Sequence, residues 1–160
     1  MNIQLIRIDD RLIHGQVVVG WVKALDIQRL VVVNDEIAKN NMRRTLMEMA
    51  VPAGLKVNFY EVHEAAIASK DNSHDRALLL FSSPADVLTF AKDGGFVTTI
   101  NVGGMHFGEG KTQMCKTICV DPADLAAFKE LRKMGVEMES RAVPGDMREA
   151  LDKIIPEIKN

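Results

Sequence analysis

The sequence predicts a three-layer α/β domain, a mostly parallel twisted sheet of about six or seven strands flanked by helices. Three observations point there. Short β-branched or leucine-rich runs such as Leu30–Val33 and Ala77–Phe81 recur along the chain, each followed by an amphipathic stretch. The intervening helical stretches run to about 10–15 residues, the length of a right-handed βαβ crossover. No linker, repeat or low-complexity segment breaks the alternation, and 160 residues suit one domain, 1–160.

Ile3–Ile8 alternates apolar and polar residues, which is a strand signal. Gly15–Leu25 has helical potential, and Leu30–Val33 reads as a buried strand. Glu36–Ala50 is expected as one helix capped by Asp35, with Leu46, Met49 and Ala50 on one face. Met42, Met47 and Met49 read as gap-fillers there. Pro52 and Gly54 stop that helix. Val57–Tyr60 is the next strand, followed by a helix around Val62–Ser69, and then the strand Ala77–Phe81.

Ser83 caps a helix that Pro84 opens and Gly94-Gly95 ends, near Lys92. Val97–Val102 and Ile118–Val120 are strands. Asp121-Pro122 begins a helix to about Met134, with Leu125, Phe128 and Leu131 apolar. Gly135 closes it, Val136–Glu139 is the last strand, and Asp146–Ile155 a terminal helix.

Composition excludes several classes. Hydrophobic residues at 47% and charged residues at 26% are the proportions of a globular chain, not of a disordered or collagenous one. Twenty basic against 22 acidic residues leave a net charge of −2, with no basic footprint for nucleic acid or an anionic membrane. Apolar runs such as Ala77–Phe81 are far too short to span a bilayer. The MNIQLIRIDD start lacks signal-peptide features. Cys115 and Cys119 form neither a disulfide framework nor a paired zinc motif, and His63 and His74 read as solvent-facing. No G-x-S-x-G elbow occurs. A cytosolic protein without a metal is expected.

In an open parallel sheet the ligand lies beyond the carboxyl ends of the strands. That rule selects Asp9 to Gln16 after the first strand, Asn34-Asp35 after the second, Ser82-Ser83 after the fourth and Gly103 to Phe107 after the fifth. The first loop is densest in chemistry. Arg11 and His14 stand three residues apart, just before a helix beginning near Gly15. A neutral imidazole is nucleophilic, and a guanidinium grips phosphoryl oxygens by paired hydrogen bonds. Free amides at the helix start, around Gly15 and Gln16, add an anion site. Together these describe a phosphohistidine carrier.

Against this, a lone histidine near a strand end is more often structural, and Arg-to-His spacing of this kind arises by chance. Asp9 and Asp10 are candidates to orient the imidazole or pair with Arg11; a surface salt bridge explains them as well. Asn34, Ser82 and His106 are candidates to line the same cleft. The glycines from Gly103 to Gly110 match no nucleotide-binding pattern and suit close backbone approach to a neighbouring loop.

Arg7-Ile8-Asp9-Asp10-Arg11-Leu12-Ile13-His14-Gly15-Gln16-Val17, with Trp21 after it, resembles the active-site loop of IIB components of the bacterial sugar phosphotransferase system, in the mannose/fructose/sorbose family. The resemblance continues in Val31 to Asp35, in Asn101 to Phe107 and in Val143-Pro144-Gly145-Asp146, essentially the whole chain. The NVGGMHF-x-E-G-K segment is most like the N-acetylgalactosamine/galactosamine branch, although the family commonly has asparagine at Gly104.

The resemblance implies a parallel-rich α/β fold with His14 phosphorylated and Arg11 contacting the phosphoryl group. It implies phosphate taken from a phosphorylated IIA component and passed to a sugar of mannose, fructose, sorbose or N-acetylgalactosamine type. The sugar enters through the IIC and IID membrane subunits, beside which the protein would sit peripherally. No cofactor is needed at that step. A docking surface is required as well, for which Leu12 and Ile13 are candidates if they are not buried.

Two other classes compete. A receiver-type signalling domain fits the Asp9-Asp10 pair, but the third strand ends in Tyr60-Glu61 without an acceptor aspartate, and no lysine closely follows Val102. A Rossmann-like nucleotide binder needs a glycine loop after the first strand, where only Gly15 stands. Whether the chain forms a homo-oligomer is left open by its sequence.

Overall fold

Neighbouring residues of a strand point to opposite faces of its sheet, and here the two faces carry different helices. The computed structural model describes residues 1–159. In chain order it has β1 (Asn2–Asp9), a π-helix (Gln16–Val22), β2 (Arg29–Val33), α1 (Asp35–Ala38), α2 (Asn41–Met49), β3 (Lys56–Tyr60), α3 (Val62–Ala68) and β4 (Arg76–Phe81). Then follow α4 (Pro84–Lys92), β5 (Thr99–Gly104), β6 (Thr112–Cys115), β7 (Ile118–Val120), α5 (Pro122–Lys133), β8 (Glu137–Ser140), β9 (Glu149–Ala150), α6 (Leu151–Ile154) and a 3₁₀ turn (Pro156–Lys159). Seven strands form one sheet in the order β3-β2-β4-β1-β5-β8-β9, parallel except where β9 runs antiparallel to β8.

On one face Ile8, Val31, Val33, Leu79, Phe81, Ile100 and Val102 pack against Ala65 and Ala66 of α3, Val87 and Phe90 of α4, and Phe128 and Leu131 of α5. On the other, Leu30, Val32, Leu78 and Leu80 meet Val17 and Trp21 of the π-helix and Ile37 of α1. The three-layer expectation holds. So do α4, capped by the Ser83 side chain with Pro84 in its first turn, and α5, whose Asp121 and Asp124 form a reciprocal capping box. Gly94, at φ +89°, takes the left-handed conformation that ends α4.

Several expectations are corrected. The single helix over Glu36–Ala50 is two helices, because Asn34 and Asn40 each cap a new start by accepting from Ile37 N and Arg43 N; Asp35 lies in the first turn instead of capping. The restart shifts the phase of the apolar stripe. Met42, Leu46 and Met49 of α2 are exposed and no α2 residue is fully buried, although Met47 packs partly against the second core. The segment after Gly15 is helical as expected, but its Val17-Val18-Val19 run, which fits an α-helix poorly, forms a wider π-helix.

The strand expected at Val97–Val102 begins at Thr99 and runs on through Gly103 and Gly104, so those glycines belong to β5 and not to a loop. The terminal helix expected at Asp146–Ile155 is reduced to Leu151–Ile154. Asp146 instead accepts from the amides of Ala142 and Val143 at 3.0 Å each, closing a turn that returns the chain as β9. The polar strand β6, paired with β7, carried no apolar run by which to be found.

Candidate functional site

β1 lies between β4 and β5 at the centre of the sheet. The chain leaves β1 toward β2 on one side, and leaves β5 toward β8 on the other. The carboxyl ends of β1 and β5 therefore flank the switch in strand direction where an open sheet places its ligand. His14 and His106 both come from the loops at this point.

An alternating strand ordinarily buries its apolar residues and wets the others. In β1 both sets are buried. Ile6 and Ile8 join the first core, while Arg7 and Asp9 are fully buried on the opposite face. There Arg7 Nη2 donates to Asp9 Oδ2 at 2.8 Å, and Nη1 donates to Asn101 Oδ1 at 2.5 Å. The same guanidinium reaches the carbonyls of Arg141 and Ala142, at 3.0 and 3.1 Å. Asn101 in turn donates to Glu139 at 2.9 Å, and Arg141 pairs with Glu139 at 3.0 Å.

Trp21 of the π-helix covers this network. Its ring centre lies 5.5 Å from the Arg7 guanidinium carbon and 5.0 Å from that of Arg141. Arg7 Nε is the buried side-chain polar atom without a hydrogen-bond partner among the described residues, and the ring face compensates part of that cost. A Cβ on Gly103 would stand 1.9 Å from the Arg7 guanidinium carbon, so only glycine admits this side chain. The close approach expected of these glycines is thus to a buried arginine, not to another loop.

Asp9 is the hub. Its Oδ2 also accepts from His14 Nε2 at 2.8 Å, and its Oδ1 accepts from the Arg11 amide at 3.2 Å with Arg11 Nε at 3.5 Å. Burial alone would raise the Asp9 pKa; the hydrogen bond from His14 and the charge of Arg7 outweigh it and hold the carboxyl below its ordinary range. Burial lowers the Arg7 pKa, against the pull of Asp9. An ionised Asp9 can only accept, so the neutral form of His14 that suits this contact has its proton on Nε2 and its lone pair on Nδ1. The ring is 15% exposed and Arg11 45% exposed, with Arg11 Nη2 donating to Gln16 Oε1 at 3.1 Å.

Leu12 makes this turn at φ +57°, a left-handed conformation costing a leucine about 1–2 kcal/mol. It is held there by burial and by its amide donating to Asp9 O at 2.9 Å. Leu12 and Ile13 consequently point inward and offer no docking surface. Val19 and Phe107, on the segments that carry His14 and His106, are 72% and 78% exposed instead.

Of the two aspartates that were candidates to contact the His14 ring, only Asp9 does so among the described residues. Asp10 turns the other way: its Oδ2 accepts from the His106 amide at 2.6 Å, and its Oδ1 lies 2.5 Å from His106 Nδ1. Gly15 and Gln16 are exposed at the start of the π-helix. Asn34 and Ser82 do lie on this edge of the sheet, but they bond to each other at 2.9 Å, and Ser82 donates to Asp86 at 3.1 Å. That cluster has no hydrogen bond to His14 among the described residues. Burial raises the Asp86 pKa, against hydrogen bonds from Ser83 and Ser82.

Arg7, Asn101, Glu139 and Arg141 were missed as site residues. For the first three the signal was there: polar residues alternate with apolar ones in R-I-D, I-N-V-G and M-E-S.

Residues 3–160 match the family model described as the PTS system sorbose subfamily IIB component. The chain belongs to that family. A sorbose-specific EIIB component of Klebsiella pneumoniae is 43% identical over 157 residues, covering 96% of both chains. An N-acetylgalactosamine-specific phosphotransferase enzyme IIB component 2 of Escherichia coli K12 is 42% identical over 159 residues, 96% of this chain and 99% of that one. The two branches stand level. The crystal structure of the IIBSor domain of the Klebsiella pneumoniae sorbose permease superimposes with a TM-score of 0.92, 40% identity and 98% coverage of each chain. This IIB component is thus a phosphotransferase of sugar uptake, in a system where IIB works with IIA and IIC/IID components. Membership displaces the receiver and nucleotide-binder readings. No helix among the described residues is long and apolar enough to cross a membrane.

Proposed function

We propose that His14 of this IIB component carries the phosphoryl group, on Nδ1, between a phosphorylated IIA component and a sugar held by the IIC and IID subunits. The observation that supports it is the pinning of His14 Nε2 by a buried carboxylate, which leaves Nδ1 free on a ring still partly exposed, with the half-exposed Arg11 reaching the same carboxylate. We read 1–160 as one IIB domain working from the cytoplasmic side of those subunits.

In the first step His14 Nδ1 attacks phosphorus in line as the donor imidazole leaves. Such a transfer asks for positioning and charge stabilisation more than covalent machinery. Asp9, itself held by Arg7, fixes the ring and stabilises the positive charge that builds on it. Arg11 swings from Gln16 to grip the phosphoryl oxygens, and the amides at Gly15 and Gln16, which lack helical partners, add donors. Asp10 fastens the opposing loop. Asn34 and Ser82 form the rim toward the partner. Val19 and Phe107 supply apolar contact in place of Leu12 and Ile13. Sugar choice rests mainly with the membrane subunits, since relatives named for sorbose and for N-acetylgalactosamine are 43% and 42% identical to this chain.

Incubation with phosphorylated IIA should place an acid-labile, alkali-stable label on His14, with the nitrogen-15 and phosphorus-31 couplings of an Nδ1 adduct. Labelling of His14→Ala at the normal rate would sink the assignment. Arg11→Ala should slow labelling at least about tenfold, as the loss of one charge-stabilising donor does.

A further inference from the structure

We propose that His106 is a second catalytic residue, the general base that takes the proton from the sugar hydroxyl as the phosphoryl group leaves His14. The proposal rests on the reading of His14 as the carrier. It starts from two neighbouring aspartates that treat two histidines in opposite ways. Asp9 holds His14 by Nε2 and leaves Nδ1 bare. Asp10 holds His106 by Nδ1, at 2.5 Å, and by its backbone amide, at 2.6 Å. A carboxylate against Nδ1 favours the tautomer protonated there, so the lone pair of His106 is on Nε2. That is the carboxylate–imidazole arrangement of a general base.

The ring is also placed for the work. A Cβ on Gly104 would lie 3.3 Å from Asp9 Oδ1 and 3.5 Å from His106 Cε1. The His106 ring and the carboxylate that pins His14 therefore both border the space that a side chain at residue 104 would fill. Asp10 itself is anchored by its amide, which donates to Gly104 O at 3.0 Å. The His106 side chain is 54% exposed, open to an arriving substrate.

The two half-reactions differ in their need for such a group. When phosphate passes from IIA to His14, both donor and acceptor are imidazole nitrogens and no hydroxyl proton has to move. When it passes to the sugar, the hydroxyl oxygen forms a P–O bond while the P–Nδ1 bond breaks. The bonding pair returns to His14 Nδ1, and the hydroxyl proton goes to His106 Nε2. The imidazolium so formed is stabilised by Asp10 and loses its proton to water. His14 ends neutral, the sugar ends as its phosphate ester, and charge and atoms balance.

The test separates the two halves. The first is the rate at which phosphorylated IIA labels the protein. The second is the rate at which the labelled protein phosphorylates radioactive sorbose or N-acetylgalactosamine, whichever the unaltered protein uses, on membrane vesicles carrying its IIC and IID subunits. His106→Gln should leave the first rate within about twofold and lower the second about 100-fold, the lower range for loss of a general base. An unchanged second rate, or an equal fall in both, would overturn the role of His106. His14→Ala should abolish labelling; if it does not, the carrier reading fails instead, and the two failures are distinct.

Discussion

Two clusters of charge sit at opposite ends of the same sheet, and they are built differently. At the carboxyl ends of β1 and β5, Arg7 and Asp9 are fully sealed, and Arg7 donates only to protein partners, Asp9, Asn101 and two backbone carbonyls. At the amino ends of β2, β3 and β4, Arg29 and Lys56 share Asp75 at 2.7 and 2.9 Å, and Arg29 also reaches Asp71 at 3.1 Å, all with access to water. Lys56 and Arg29 hold the Asp75 carboxyl down to about 2. The wet cluster can lose a member and rehydrate. The sealed one cannot, because a charge left alone in the interior has no solvent to turn to. A cluster of the second kind is suited to holding a ring in one place, and His14 hangs from it.

Arg7→Ala should show the largest effect. Removing one partner of a buried pair costs about 3–5 kcal/mol, which chemical denaturation would read, and transfer to His14 should fall with it because Asp9 loses its anchor. A loss no larger than that of a surface ion pair would erase the contrast between the clusters. Asp9→Asn also deprives the buried Arg7 of its counter-charge, but the guanidinium keeps Asn101 and two carbonyls as acceptors and the amide oxygen still accepts from His14, so it should cost less stability; it should nonetheless slow labelling more than about tenfold by withdrawing the charge that stabilises the ring. If labelling were unaffected, the carboxylate would be a structural group only.

The pH dependence sharpens the comparison. A carboxyl whose folded pKa is depressed contributes stability above its unfolded value, and that contribution disappears as pH falls through the folded value. For Asp75 the window runs from 3.8 down to about 2. The denaturation curves of the unaltered protein and of Asp75→Asn should differ at neutral pH by the smallest margin of the three variants. They should converge across that window, with labelling of His14 unchanged at pH 7. A stability gap that persisted at pH 2 would place the contribution of Asp75 outside its ion pairs.

Much of this molecule was legible from local pattern. Ser83-Pro84 and Asp121-Pro122 announce α4 and α5 because capping is a matter of neighbours in sequence, and Leu30–Val33 and Ala77–Phe81 announce central strands by unbroken apolarity. The same local signals went astray where a second cap interrupted them. Asn40 restarts a helix that periodicity would have continued, and so turns Met42, Leu46 and Met49 to solvent. The loop from Asp9 to Gln16 could be picked out as the candidate site, with Arg11 and His14 in it. The division of labour between Asp9 and Asp10 could not, because it depends on which way each carboxylate points at the end of β1.

The order of residues by itself determined the alternation of strands and helices, the family, and the loop that carries Arg11 and His14, since all three are written in contiguous stretches of chain. Only the tertiary structure decided that Arg7, Asn101, Glu139 and Arg141 form one buried network under Trp21, and that Asp10 holds His106 while Asp9 holds His14. The reason is physical. Those groups are up to 134 residues apart in sequence, and their protonation and orientation are set by partners that only strand order and register bring within reach.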